Sequence, residues 1–253
     1  MRNLHEAKKK KLATAFFTDI EKHRIENNGK YPRYSSSYKH YNSVFVNLLI
    51  CQKGVCAYSE MGIYFDYEKC NTKALWESGK FGGNKPKIDA DIEHYKAKSR
   101  CSGECDWDWN NLFLVSKHIN QSIKRDKPVY DFLRPDKPDY APQRYLWYSF
   151  DTQMFVPRPD LDISTYKKVD ETLKTLGINS SNTVKSRRKK MLLDYLTDIY
   201  VKKYSYQEIK KEKLCEFFTA YEMSEHIFTD VAKAQKYINV LKPTHNKNTN
   251  KQS

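Results

Sequence analysis

Residues 92–98 read IEHYKAK and residues 109–124 read WNNLFLVSKHINQSIK. These two stretches decide the fold. The first belongs to IDADIEHY (88–95), where apolar and polar residues alternate as in a strand. FLVSKHINQSIK (113–124) begins as strand or turn and continues as a basic helix. Glu93 adjoins His94, an Asn–Leu pair stands at 111–112, and a polar His-Ile-Asn cluster at 118–120 opens the helix. A base, a metal-binding acid and a second metal ligand within about thirty residues are the components of single-ion phosphodiester hydrolysis.

Each residue type has a reason to be there. Histidine titrates near neutral pH, so His94 suits the base. Glu93 and Asn120 offer oxygen ligands to a hard cation such as Mg²⁺ or Mn²⁺. Asn111 is grouped with His94 as the residue that braces the loop, since asparagine side chains bond backbone in turns. Lys96, Lys98, Lys117, Lys124 and Arg125 are the cations expected to hold phosphates. One objection stands: strict strand alternation puts Glu93 and His94 on opposite faces, so they share a site only where the strand twists or turns.

Outward from this segment, residues 4–27 carry a rough apolar stripe of Leu4, Leu12, Phe16 and Ile20 that predicts a helix, ended by Gly29 and Pro32. SSS (35–37) is expected to cap a helix over 38–53 that stops at Gly54. A short helix is expected at 70–78, a loop at FGGNKP (81–86) and a Pro-punctuated loop at RPDKPDYAPQ (134–143). YLWYSFDTQMFVPRP (145–159) reads as a hairpin turning near Asp151–Thr152. From about 163 the pattern is helical, with Leu173, Leu176, Leu192, Leu193 and Leu196 among its buried positions. The polar tail after Pro243 is expected to be disordered.

Hydrophobic residues make up 39% of the 253, so a core has to draw heavily on the 19 tyrosines, on Phe and on Leu. The longest apolar piece, VFVNLLIC (44–51), is too short for a membrane span and contains Asn47. The chain opens on charge, without a secretory apolar segment, so it is expected to be cytoplasmic with no membrane partner. Its net charge of +14 favours polyanions, although a lysine-rich surface alone also produces such a value. Six cysteines in a cytoplasmic chain are not expected to form disulfides. Cys51 with Cys56 and Cys101 with Cys105 are spaced loosely enough to be read either as four structural zinc ligands or as thiols packed like small hydrophobes.

The order of these pieces resembles the HNH, or ββα-metal, nuclease family, and more narrowly the HNH component of Septu-type and retron-associated bacterial anti-phage systems. LLICQKGVCAYSE (48–60) looks like the family's helix and Cys-Ala-Tyr-Cys-Glu turn. IEHYKAKS (92–99) looks like its Glu-His segment, and DWNNLFLVSKHINQSIK (108–124) like its D-W-x-N-L strand and helix start. Residues 132–159 and 167–192 look like its hairpin and its two following helices. The resemblance implies that His94 is the general base, Glu93 and Asn120 are metal ligands, and Asn111 holds the motif in shape.

The chain departs from the pattern at Ser59, Ser116 and Ile119, which stand where the family has zinc-binding cysteines. Zinc is then absent or rebuilt from Cys51, Cys56, Cys101 and Cys105. Ala97 replaces a proline. The closing Lys124 stands one position late, which leaves His118 as a rival to Asn120 for the ligand role.

The expected architecture is α+β: an N-terminal helical segment (1–54), a ββα-metal core (55–160), a C-terminal helical bundle (161–242) and a tail (243–253). The expected function is metal-dependent endonuclease cleavage of DNA in bacterial defence, with an ATPase partner implied by the resemblance. An RNA-cutting toxin acting on tRNA with the same site, and a basic nucleic-acid-binding module that does not cut, are the alternatives.

Overall fold

In a computed structural model of the chain, the structure describes residues 3–10, 15–63, 89–101, 105–179, 181–210 and 216–241. The helix expected at 70–78, the loop at 81–86 and the tail after 243 lie outside the described residues. The predicted N-terminal helix appears as α1 (His5–Lys10) and α2 (Ala15–Glu26), with 11–14 outside the description. Gly29 follows α2 at φ +80 and returns its N–H to the Arg24 carbonyl at 2.8 Å, a left-handed terminator that glycine adopts freely.

Helix α3 spans Tyr41–Cys51 and is buried along most of its length. The serine run does not cap it. Ser35 accepts from Ser37 N–H within its own turn, and His40 at the N-cap makes no side-chain cap bond. Gly54 at φ +72 ends the helix as expected.

Strands β1 (Ala90–His94) and β2 (Leu112–Ser116) pair antiparallel, in a register that runs from Ala90 opposite Ser116 to His94 opposite Leu112. Every residue of β2 is buried. Two strands alone leave edge backbone groups unpaired. Here the Gln52 amide covers the free edge of β2, with Oε1 accepting from Leu114 N–H at 2.8 Å and Nε2 donating to Leu114 O at 2.7 Å. Ala57 N–H reaches the same carbonyl at 3.0 Å. After β2 the chain enters α4 (Ile119–Lys124), wound as a π-helix.

The predicted hairpin forms from β3 (Leu146–Ser149) and β4 (Met154–Pro157), turning through 150–153. Alternation sets its faces: Tyr148 and Phe155 pair inward, while Trp147 and Val156 pair on the exposed side. The C-terminal helices follow. Asp162 caps α5 (Ile163–Thr175) and Ser181 caps α6 (Asn182–Tyr200). Ser205 and Glu208 form a capping box on α7 (Tyr206–Glu208), and among the described residues α8 (Phe218–Met223), α9 (Glu225–Phe228) and α10 (Val231–Leu241) follow.

The class is therefore mixed, with helices and, among the described residues, two small antiparallel sheets. One cluster of buried apolar side chains runs from Leu4 through β2 to Ala234, so all three expected stretches share it. Among the described residues no helix is long and apolar enough to cross a membrane.

An ion pair inside this core fastens α1 to the sheet. Lys8 Nζ meets Asp136 Oδ2 at 2.9 Å, donates to Leu112 O at 3.0 Å and sits 4.1 Å from the centre of the Phe113 ring. Burial pulls the Lys8 pKa down to about 8 against the pull of Asp136. Asp136 also accepts from Arg134 Nε at 2.8 Å. Removing one member of such a pair strands the other, at a cost of about 3–5 kcal/mol. Asp136→Ala should therefore lower the urea-unfolding free energy by that order, while Asp160→Asn, at an exposed pair, should leave it nearly unchanged. Equal effects at the two positions would contradict the assignment.

Candidate functional site

Strand β1 ends at His94, and the chain turns away immediately after it. That ending removes the alternation objection. Glu93 and His94 both line one open cavity of about 380 Å³, together with Asn120, Lys98, Arg125 and Tyr34. Residues expected from two separate segments thus meet at one place.

Asn111, just before β2, ties back to the backbone that follows β1. Its Oδ1 accepts from Lys96 N–H at 2.8 Å, and its Nδ2 donates to Lys96 O at 3.0 Å. Tyr95 N–H reaches Asn111 O at 2.9 Å. Asn111 is buried and does not line the cavity, so its role is to hold the loop. The loop in turn supplies the Asp106 carbonyl, 2.8 Å from His94 Nε2. A carbonyl only accepts, so Nε2 carries the hydrogen and the Nδ1 lone pair of the neutral ring is left free. Burial holds the His94 pKa down to about 4, against the pull of the Asp106 carbonyl, so the ring is neutral at pH 7.

Glu93 is buried, and burial pushes its carboxyl upward from the ordinary value. The Lys124 ammonium, in ion-pair contact with it, pulls the other way. Lys124 also donates to His94 O at 2.8 Å and is fully buried. This corrects the expectation that Lys124 holds a phosphate: its charge is spent beneath the cavity. Of the remaining cations, Lys98 and Arg125 line the cavity. Lys96 is exposed but lies outside the lining, and half-buried Lys117 faces Asp89 at 4.0 Å.

The rival ligands separate. Asn120 lines the cavity, whereas His118 is exposed and is absent from the lining. Arg125 closes α4 at φ +51, a left-handed turn that is uncommon outside glycine, at the point where the chain passes the cavity.

The donor set bears on a metal. Glu93 and Asn120 bring a carboxylate and an amide to one cavity, which fits a hard cation that keeps most of its waters. Zinc at the cysteines does not fit. Cys101 and Cys105 are joined in a disulfide, and among the described residues no three His, Cys, Asp or Glu side chains gather as a metal group. Both the absence of disulfides and the four-cysteine zinc site are thereby corrected. The two Cα atoms lie 5.7 Å apart, inside bonding range, in residues only four positions apart in sequence. Cys51 and Cys56 are buried thiols outside any disulfide, packed in the core.

Two participants were missed in the sequence. The Tyr34 ring stands edge-on to His94 at 4.7 Å, and the Lys98 ammonium lies 4.6 Å from that ring's centre. Tyr34 N–H also donates to Asp106 Oδ2 at 3.0 Å. Nothing in the pattern around PRYSSS marks Tyr34, and a backbone carbonyl such as that of Asp106 has no sequence signal at all.

No protein-family model matches the chain, and no curated protein is a significant match to it.

The geometry sets the titration of His94. Its imidazole nitrogens, followed by NMR, should show the Nε2–H tautomer and a midpoint near pH 4. A midpoint near the ordinary value of about 6.5, or the Nδ1–H tautomer, would contradict the arrangement.

Proposed function

We propose that the chain is a metal-dependent endonuclease of the HNH, or ββα-metal, kind that hydrolyses DNA phosphodiesters in bacterial anti-phage defence. The observation that carries this reading is the single cavity lined by Glu93, His94 and Asn120 with Lys98 and Arg125. The order of β1, β2 and α4 and the resemblance of the motifs support it. The resemblance also extends the proposal to an ATPase partner.

The residues divide the work. His94 offers Nδ1 to take a proton from the attacking water, with Nε2 anchored on Asp106 so that the ring cannot turn away. The depressed pKa keeps that lone pair available at neutral pH. Lys98 and Arg125 face the phosphate oxygens, and Tyr34 fixes the edge of the imidazole. Glu93 and Asn120 would hold Mg²⁺ or Mn²⁺, which supplies charge neutralisation at the phosphate when bound. Lys124, in ion-pair contact with Glu93, pulls against the upward push of burial on its carboxyl and holds it in place. Asn111 maintains the loop that carries Asp106.

The test sets plasmid DNA and total tRNA side by side with Mg²⁺ or Mn²⁺. His94→Ala should lose at least about 10²–10⁴-fold in cleavage rate, the usual worth of a positioned base, and still bind DNA. Asn120→Ala should be nearly inactive, while His118→Ala keeps most of its activity. A His94→Ala protein that cuts at more than roughly a tenth of the normal rate would exclude it as the base. Cutting of tRNA in place of plasmid would move the substrate to RNA with the same residues.

A further inference from the structure

A second open cavity, of about 340 Å³, lies on the chain just downstream of the first. Its size falls in the range of small-molecule sites. Asp126 lines the first cavity and Tyr130 the second, and the four residue-to-residue steps from one to the other span at most about 14 Å when extended. A side chain also links the two: Tyr95, next to His94, donates from its hydroxyl to Tyr130 O at 2.6 Å. The second cavity is therefore within a few nucleotides' reach of the first.

Its lining differs in kind from a phosphate site. Tyr130, Phe132 and Tyr145 form a row of rings, with centroids 6.2 Å and 5.0 Å apart. Tyr130 is 38% exposed. Lys137 pairs with Asp131 at 3.1 Å, and Lys168 lies 5.8 Å from the centre of the Tyr130 ring. With Asp139 the charges of the lining cancel. A neutral, flat, hydrogen-bonding group suits such a place better than an anion does.

We propose that this cavity binds one unpaired nucleobase of the strand whose phosphate enters the first cavity. The base stacks on Tyr130, and the Asp139 carboxylate accepts from an exocyclic amino group. Adenine, cytosine and guanine are then favoured over thymine and uracil, which lack that amino group. The inference rests on the nuclease reading for the identity of the strand, and its test does not use cleavage.

The probe is a short single-stranded oligonucleotide carrying the fluorescent adenine analogue 2-aminopurine, with the matched duplex as control. Both are titrated into His94→Ala protein with and without Tyr130→Ala. That substitution removes the ring and keeps the carbonyl that holds Tyr95. Single-strand affinity should fall roughly 5- to 100-fold, the worth of one stacked base. Quenching of the probe should be lost. Duplex affinity and the salt slope, which counts phosphates, should not move. Tyr130→Phe should restore binding. Unchanged single-strand affinity, or an equal loss on duplex, would overturn the proposal. Tyr130-dependent binding in a wild-type chain that cuts no nucleic acid would sink the nuclease reading and leave the base site standing.

Discussion

A single buried ammonium ties the helix of the site to its strand. Lys124 has no exposed surface, and its Nζ meets the Glu93 carboxylate and the His94 carbonyl. A lysine without partners in such a place would cost several kcal/mol, on the order of the desolvation penalty of one ion. The arrangement therefore depends on the Glu93 side chain and on β1 ending where it does. Position follows from that constraint. Lys124 closes α4, and the same helix carries Asn120 at its other end. Holding Lys124 on Glu93 brings Asn120 to the cavity that Glu93 lines.

Two further constraints make the site rigid. Asn111 clasps Lys96 through both ends of its amide, and the loop it closes presents the Asp106 carbonyl to His94. Gln52 and Lys8 secure β2 from the other side, one by pairing with Leu114, the other through Leu112 O and Asp136. Both bonding schemes satisfy backbone groups that a two-stranded sheet would leave bare. Groups anchored on backbone in this way hold their geometry better than groups on free loops.

Much of this was legible in the sequence, because it is written in periodicity and turn chemistry. The alternation in IDADIEHY produced β1, the run LFLVS produced β2, and the turn near Asp151 produced the second hairpin. Asp162 and Ser181 cap α5 and α6 within the stretch read as helical. What stayed hidden depends on tertiary neighbours. Lys124 looks like any surface lysine until Glu93 is folded over it. Cys101 and Cys105 look like half a zinc site until the fold sets their Cα atoms 5.7 Å apart and joins them in a disulfide. The segment read as the start of a basic helix is wound over Ile119–Lys124 as a wider π-helix, which its sequence does not announce. Arg188, in an Arg-rich helix, is buried and donates to the Gln153 and Ile178 carbonyls.

The proposed function requires Glu93 and Asn120 to hold one hard cation beside Nδ1 of His94. Anomalous diffraction from crystals soaked in Mn²⁺ tests it most directly. The account predicts one peak in the cavity, touching Glu93 and Asn120, that disappears in Glu93→Gln. A cavity without a peak at saturating Mn²⁺, or a peak on His118, would contradict it.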